Sequence, residues 1–132
     1  MELLGYQLPK LSDSYILQYE NITDTYGMLM YQDPEGTEVR FSISFAEGKT
    51  LSVDTENAQN VETVVINGYE GILVEKPRMI EGELKERVLI TLGDTDQNYF
   101  VNITTTGLGK EAAIKLAEQV AYVGKTSLDD RL

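Results

Sequence analysis

Apolar positions recur with a period of two over most of this chain, and with a helical period in one stretch near its end. Val39, Phe41, Ile43 and Phe45 alternate with Arg40, Ser42 and Ser44, the pattern of a half-buried antiparallel strand. Upstream, Tyr15, Leu17 and Tyr19 alternate with Ile16, Gln18 and Glu20 and predict a first strand; residues 26–32 predict a second. Asp33-Pro34-Glu35-Gly36 suits a type I turn, with Pro at its second position and Gly at its fourth, so the second and third strands form a hairpin. Residues 61–66 and 69–75 flank Asn67-Gly68, a pair that accepts the positive φ angles of a type I′ turn. Val88, Ile90 and Leu92, then Tyr99, Val101, Ile103 and Thr105, predict a further strand pair turned by residues 93–98.

Ala113, Leu116, Ala117, Val120 and Ala121 fall on one face of a helix predicted over 110–122. Gly109 serves as its N-cap, Glu111 suits the positive end of its dipole, and Gly124 is its stop. Alanine on the buried face implies that the helix approaches a sheet closely. Residues 5–9 read as an irregular lead-in, because Pro9 lacks a backbone donor and pushes Leu8 out of the helical region. Residues 46–60 are polar apart from Leu51 and Val53 and form the longest irregular stretch; 76–83 is a connection of undefined shape, and 125–132 is expected to fray. The expected fold is α+β: a curved, mainly antiparallel sheet of six or seven strands with one C-terminal helix packed on one face. It forms a single domain over 1–132, with its compact part at about residues 5–123.

Charge narrows the partners. Twenty-two acidic against eleven basic residues give a net charge of −11, which repels phosphate backbones and anionic lipid headgroups. No nucleic-acid partner is expected, and membrane contact is expected only through an upstream anchor that these 132 residues do not contain. The chain has no Cys, hence no disulfide or thiolate chemistry, and no His, which removes the usual general base and the commonest metal ligand. A Cys-free chain fits a cytoplasm and the outside of a Gram-positive cell alike. No run approaches the ~18 apolar residues of a membrane span, and the N-terminus lacks the basic-then-apolar order of a signal peptide.

Several motifs carry partial chemistry. Asp94-x-Asp96-x-Asn98 has the opening spacing of a calcium loop, but Tyr99 stands where the loop needs Gly and Thr105 where it needs a bidentate Glu, so no metal site is expected. Asp54 with Glu56, and Glu81 with Glu83, are carboxylate pairs of the kind acid/base chemistry uses; among 22 acids they read as solvated loops, and no catalytic residue is assigned. Gly107-Leu108-Gly109 precedes the helix without the Lys-Ser/Thr pair of a phosphate loop. Five of the eight tyrosines (Tyr6, Tyr15, Tyr19, Tyr26 and Tyr31) lie in the first 31 residues, with Met28 and Met30 among them. Half-buried strand packing and an adaptable binding surface both suit that composition. Tyr15, Tyr19 and Tyr31 are the candidate ligand- or partner-binding residues.

Val64-x-Ile66-Asn67-Gly68-Tyr69-Glu70-Gly71-Ile72-Leu73-Val74, the strand pair around Leu89 to Ile103 and the helix of residues 108–120 together resemble an uncharacterised domain family of Gram-positive bacteria. Its members usually form the C-terminal, extracytoplasmic part of proteins with an upstream membrane span, some beside anti-sigma-factor-like segments. The resemblance covers about residues 5–123. This chain departs from it in lacking the Trp that members often carry near residues 89–91, and the family has no established catalytic residues to carry over. The resemblance implies a non-enzymatic sensory or protein-interaction module, extracytoplasmic by tether or secretion, with a protein partner or small ligand and no cofactor. A cytoplasmic setting stays open. Two rivals stand beside it: a carrier of an apolar ligand or lipid held between sheet and helix near Tyr19, Met28, Met30 or Phe41, and a carboxylate-dependent hydrolase. Homodimerisation through an exposed strand edge is compatible with each.

Overall fold

The computed structural model describes residues 2–47, 50, 51 and 53–124. Along the chain run β1 (Glu2–Leu3), β2 (Tyr6–Gln7), β3 (Ile16–Ile22), β4 (Tyr26–Gln32), β5 (Glu38–Phe45), β6 (Asn60–Ile66), β7 (Tyr69–Glu75), β8 (Arg78–Ile80), β9 (Glu83–Lys85), β10 (Arg87–Asp94), β11 (Tyr99–Thr106), α1 (Lys110–Glu118) and β12 (Ala121–Tyr122). Seven of the strands form one antiparallel sheet in the order β3-β4-β5-β11-β10-β7-β6. The fold is α+β, mostly sheet with one C-terminal helix.

Turn chemistry sets each register. Asp33 accepts the backbone N–H of Glu35 (3.0 Å) and of Thr37 (2.8 Å) on its side chain, which closes the β4–β5 turn. Asn67 (φ 55°) and Gly68 (φ 80°) take the two left-handed positions of the β6–β7 turn. With registers fixed, alternation sorts the side chains. Leu29, Phe41, Ile103, Ile90 and Leu73 stand in one row across five strands, all buried. The helix lies on this face, with Ala113 and Ala117 fully buried in the shared core. Each large apolar side chain buried there contributes about 1.5–3 kcal/mol.

The helix is fastened at both ends to the β6–β7 hairpin. At its start, Lys110 Nζ pairs with Glu62 Oε2 at 2.7 Å. At its end, Asn67 Nδ2 donates to the carbonyl oxygens of Glu118 (2.7 Å) and Val120 (2.9 Å). A helix leaves its last carbonyls without intrahelical partners, and the turn residue supplies a donor.

Three elements differ from the sequence expectation. The helix stops at Glu118, not at residue 122. Gln119 and Val120 bond back only three residues, to Leu116 and Ala117, and the chain then extends into β12, which pairs with β2. The lead-in at residues 5–9 is not irregular. Leu4 (φ 48°) and Gly5 (φ 88°) turn β1 into β2, Tyr6 and Leu8 are buried, and the core takes in Leu3, upstream of Gly5. The connection at 76–83 holds β8 and enters a second tight hairpin through Glu81 (φ 50°) and Gly82 (φ 79°). Residues 125–132, expected to fray, lie outside the described residues, as do 48, 49 and 52 of the polar stretch.

Candidate functional site

Tyr15 precedes β3, and Tyr31 stands in β4 opposite Leu17 of β3. Tyr31 shares the helix face with Val39, its partner in β5, and its ring meets Phe41 edge-on at 6.4 Å. The segment from Leu8 to Ser12 crosses this margin of the sheet and leaves a groove of about 730 Å³ lined by Tyr15, Tyr31, Leu8, Leu11 and Gln119. On the other side of the same segment a smaller hollow of about 270 Å³ reaches Tyr15, Val39, Leu108 and Leu116. Lys10 stands at both. Burial raises the phenol pKa of Tyr15 and of Tyr31, reinforced by the charges of Asp33 and Glu20 respectively, so both remain neutral donors.

Tyr19 is not in that groove. A register shift between Leu17 and Tyr19 interrupts the β3–β4 ladder, and Tyr19 faces Met30 on the opposite side of the sheet. There the row runs Tyr19, Met30, Arg40, Thr104, Leu89, with Arg40 Nη2 at 3.8 Å from the Met30 sulfur. Of the residues expected around an apolar ligand, Phe41 is packed in the core under the helix, whereas Tyr19, Met28 and Met30 lie on the other face. The structure therefore brings Tyr15 and Tyr31 together and separates Tyr19 from them.

The edge itself is open. All seven residues of β3 are exposed, and four of them are large and apolar: Ile16 (57%), Leu17 (42%), Tyr19 (47%) and Ile22 (53%). Only Glu20 carries charge in this strand. Natural edge strands are normally blunted by charge, proline or cover. β3 has the shift near Gln18 and little else. Tyr alternation predicted the strand, but no sequence signal said that it would be the outermost one.

The remaining motifs resolve locally. Tyr6 belongs to the core: its ring meets those of Tyr122 (5.1 Å) and Tyr99 (6.0 Å), and its phenol donates to Asp94. Asp94, first of the calcium-like triplet, is buried, and its other oxygen accepts the backbone N–H of Asp96 (3.1 Å) and Gln97 (3.2 Å). Asp54 accepts the backbone N–H of Glu56 and pairs with Lys76 at 3.1 Å, and these contacts, in that order, lower its pKa from its ordinary value. Among the described residues no group of three or more acidic side chains converges as a metal site, and no helix is long and apolar enough to cross a membrane.

A closed helix face, an open sheet edge and a groove beside that edge define a small α+β domain. The profile of a family described as a domain of unknown function, DUF4367, matches residues 5–120, and the chain belongs to that family. No curated protein and no solved structure matches it.

Proposed function

We propose that this domain is a protein-interaction module that takes an extended segment of its partner as an added strand on β3. The observation that carries the reading is the juxtaposition of the uncovered β3 edge with the Tyr15–Tyr31 groove. An added strand gains affinity from backbone hydrogen bonds along the edge and specificity from side chains that enter the adjacent groove. Tyr15 and Tyr31 offer apolar ring surface there. Asp13 and Asp24 flank β3 in sequence and Glu20 lies within it, so the fitting segment alternates apolar residues and carries Lys or Arg. The setting we propose, outside the membrane of a Gram-positive cell in a cell-surface or regulatory protein, rests on the family resemblance. The role is non-enzymatic.

Selection from a displayed random-peptide library tests this. Enriched peptides of alternating apolar residues with basic residues, protecting β3 amides from hydrogen exchange and lost on Leu17→Lys or Tyr31→Ala, support it. Enrichment of nothing, or protection confined to another surface, overturns it. Protection of β3 that grows with protein concentration alone would replace the foreign segment by a second copy of this chain.

A second reading is favoured by one hollow on the opposite face, about 680 Å³, lined by Leu51, Val65, Ile72, Phe100 and neighbours. An apolar small molecule fits that lining. Stabilisation by fatty acids that Phe100→Asp abolishes would favour it over the strand-docking reading.

A further inference from the structure

The seven-stranded sheet has a second edge, β6, at the far end from β3. Ile66 and Tyr69 flank the two-residue Asn67-Gly68 turn and so form a hydrogen-bonded pair. Such pairs alternate along an antiparallel ladder, which gives Val64, Glu62 and Asn60 the other bonds to β7. Val61, Thr63 and Val65 therefore direct their N–H and C=O groups away from the sheet, and among the described residues β6 pairs with β7 alone. Glu62 reaches the helix, so the side chains of these three stand on the opposite face, where Val61 is 47% and Val65 68% exposed.

This edge lacks the usual deterrents to pairing. β6 contains no Lys, Arg or Pro. Its one charged residue, Glu62, is held on the helix side by Lys110 (2.7 Å) and Asn60 (2.8 Å). A strip without net charge is thus exposed on a chain of net charge −11. The strip is also self-complementary. With β6 laid antiparallel on a second β6 about Thr63, Thr63 meets its own copy and Val61 meets Val65. Every outward N–H and C=O of the three residues then finds a partner, and each cross-strand pair joins β-branched side chains. On the helix side, Glu62 of one copy becomes a diagonal neighbour of Glu62 of the other, roughly 7–8 Å away. Each arrives with its own Lys110, so the charges cancel across the dyad. At β3, by contrast, Glu20 makes no ion pair among the described residues, and a second copy would set like charges against like.

We propose that two copies of this domain associate through β6, in an antiparallel pair centred on Thr63 that joins their sheets into one and leaves both β3 edges free. The pairing stands whether or not β3 docks a strand. Its contact area is small, so the association is weak and depends on concentration.

Sedimentation equilibrium of the intact chain from about 10 μM to about 1 mM tests this. A monomer–dimer equilibrium is expected, with concentration-dependent protection of the Val61, Thr63 and Val65 amides from hydrogen exchange and none at β3. Thr63→Pro removes an outward donor without touching a bond to β7, and should weaken the dimer about tenfold or more. Thr63→Lys and Thr63→Glu each set like charges face to face on the dyad. Either chain alone should be monomeric, and the two mixed should form a heterodimer. Thermal unfolding of the variants, expected near that of the parent because Thr63 is exposed, separates lost association from lost folding. The charge variants keep the test decisive should Thr63→Pro unfold. Monomer at every concentration overturns the proposal, as does a folded Thr63→Pro chain that still pairs, or charge variants that gain nothing on mixing. Protection at β3 in place of β6 would overturn it too, by moving the self-contact to the other edge.

Discussion

The phenol of Tyr6 donates a 2.6 Å hydrogen bond to Oδ2 of Asp94 across 88 positions of sequence, and both residues are buried. The contact joins the small N-terminal hairpin to the β10–β11 turn. Tyr6→Phe keeps the ring and leaves a buried carboxylate oxygen without its donor. We expect a loss of about 1.5–3 kcal/mol in urea unfolding, the range for a hydrogen bond to a charged group. An unchanged midpoint would mean that water replaces the phenol.

The same phenol links stability to alkaline pH. Burial, then the hydrogen bond and charge of Asp94, raise the Tyr6 pKa far above its ordinary value of 10.0. The unfolded phenol ionises near 10.0 and the folded one does not, so the stabilisation is complete below that pH and falls as pH rises past it. Each such group steepens the fall by about 1.4 kcal/mol per pH unit. Tyr6→Phe should flatten the alkaline limb by that amount, measured as denaturant midpoint against pH.

Asn67 has two duties that substitution separates. Asn67→Gly keeps the left-handed turn and removes both hydrogen bonds to the helix end, an expected cost of about 1–2 kcal/mol. Asn67→Ala removes the same bonds and adds left-handed strain of about 1 kcal/mol or more. Thermal unfolding should rank parent, then Gly, then Ala. A Gly variant as stable as the parent would show that the turn alone matters.

Two strand glycines should respond oppositely to alanine. A Cβ at Gly71 would overlap the Thr91 carbonyl oxygen and crowd Leu92, where β7 and β10 meet, so Gly71→Ala should cost about 3 kcal/mol or more. At Gly93 the nearest atom to a new Cβ is the Glu70 carbonyl oxygen at 3.7 Å, and Gly93→Ala should stay within about 1 kcal/mol of the parent. Chemical denaturation of the pair gives the comparison.

Period-two alternation and turn residues made β4, β5, β6, β7, β10 and β11 legible in the sequence, because each packs one face more than the other and each turn demands particular residues; β3 was legible from its alternation although all seven of its residues are exposed. The Asn67-Gly68 turn was readable; that Asn67 also reaches Glu118 was not, since the partner lies 51 positions away. The two-residue strands β1, β2 and β12 are too short to show a period, and the core role of Tyr6, read within an irregular lead-in, was hidden because its partner Asp94 lies 88 positions away. Glu81-Gly82 carries the same left-handed pair as Asn67-Gly68, but with Glu in place of Asn the turn signal is weak. Of the candidate tyrosines, Tyr19 and Tyr31 lie in the expected strands, whereas Tyr15 stands just before β3. The parting of Tyr19 from Tyr15 and Tyr31 was hidden, because it follows from a register shift that no local pattern announces.

The pairing of β12 with β2 brings Val123 and Gly124 to the carbonyl of Gly5, so the last described strand closes against the turn between β1 and β2. β1 and β12 both run antiparallel to β2 and hence parallel to each other, so tension between the start of β1 and the end of β12 would load this small sheet in shear, its hydrogen bonds sharing the strain. Force borne by that small sheet would thus reach the interior at once, because Tyr6 of its central strand is itself a core residue anchored to Asp94.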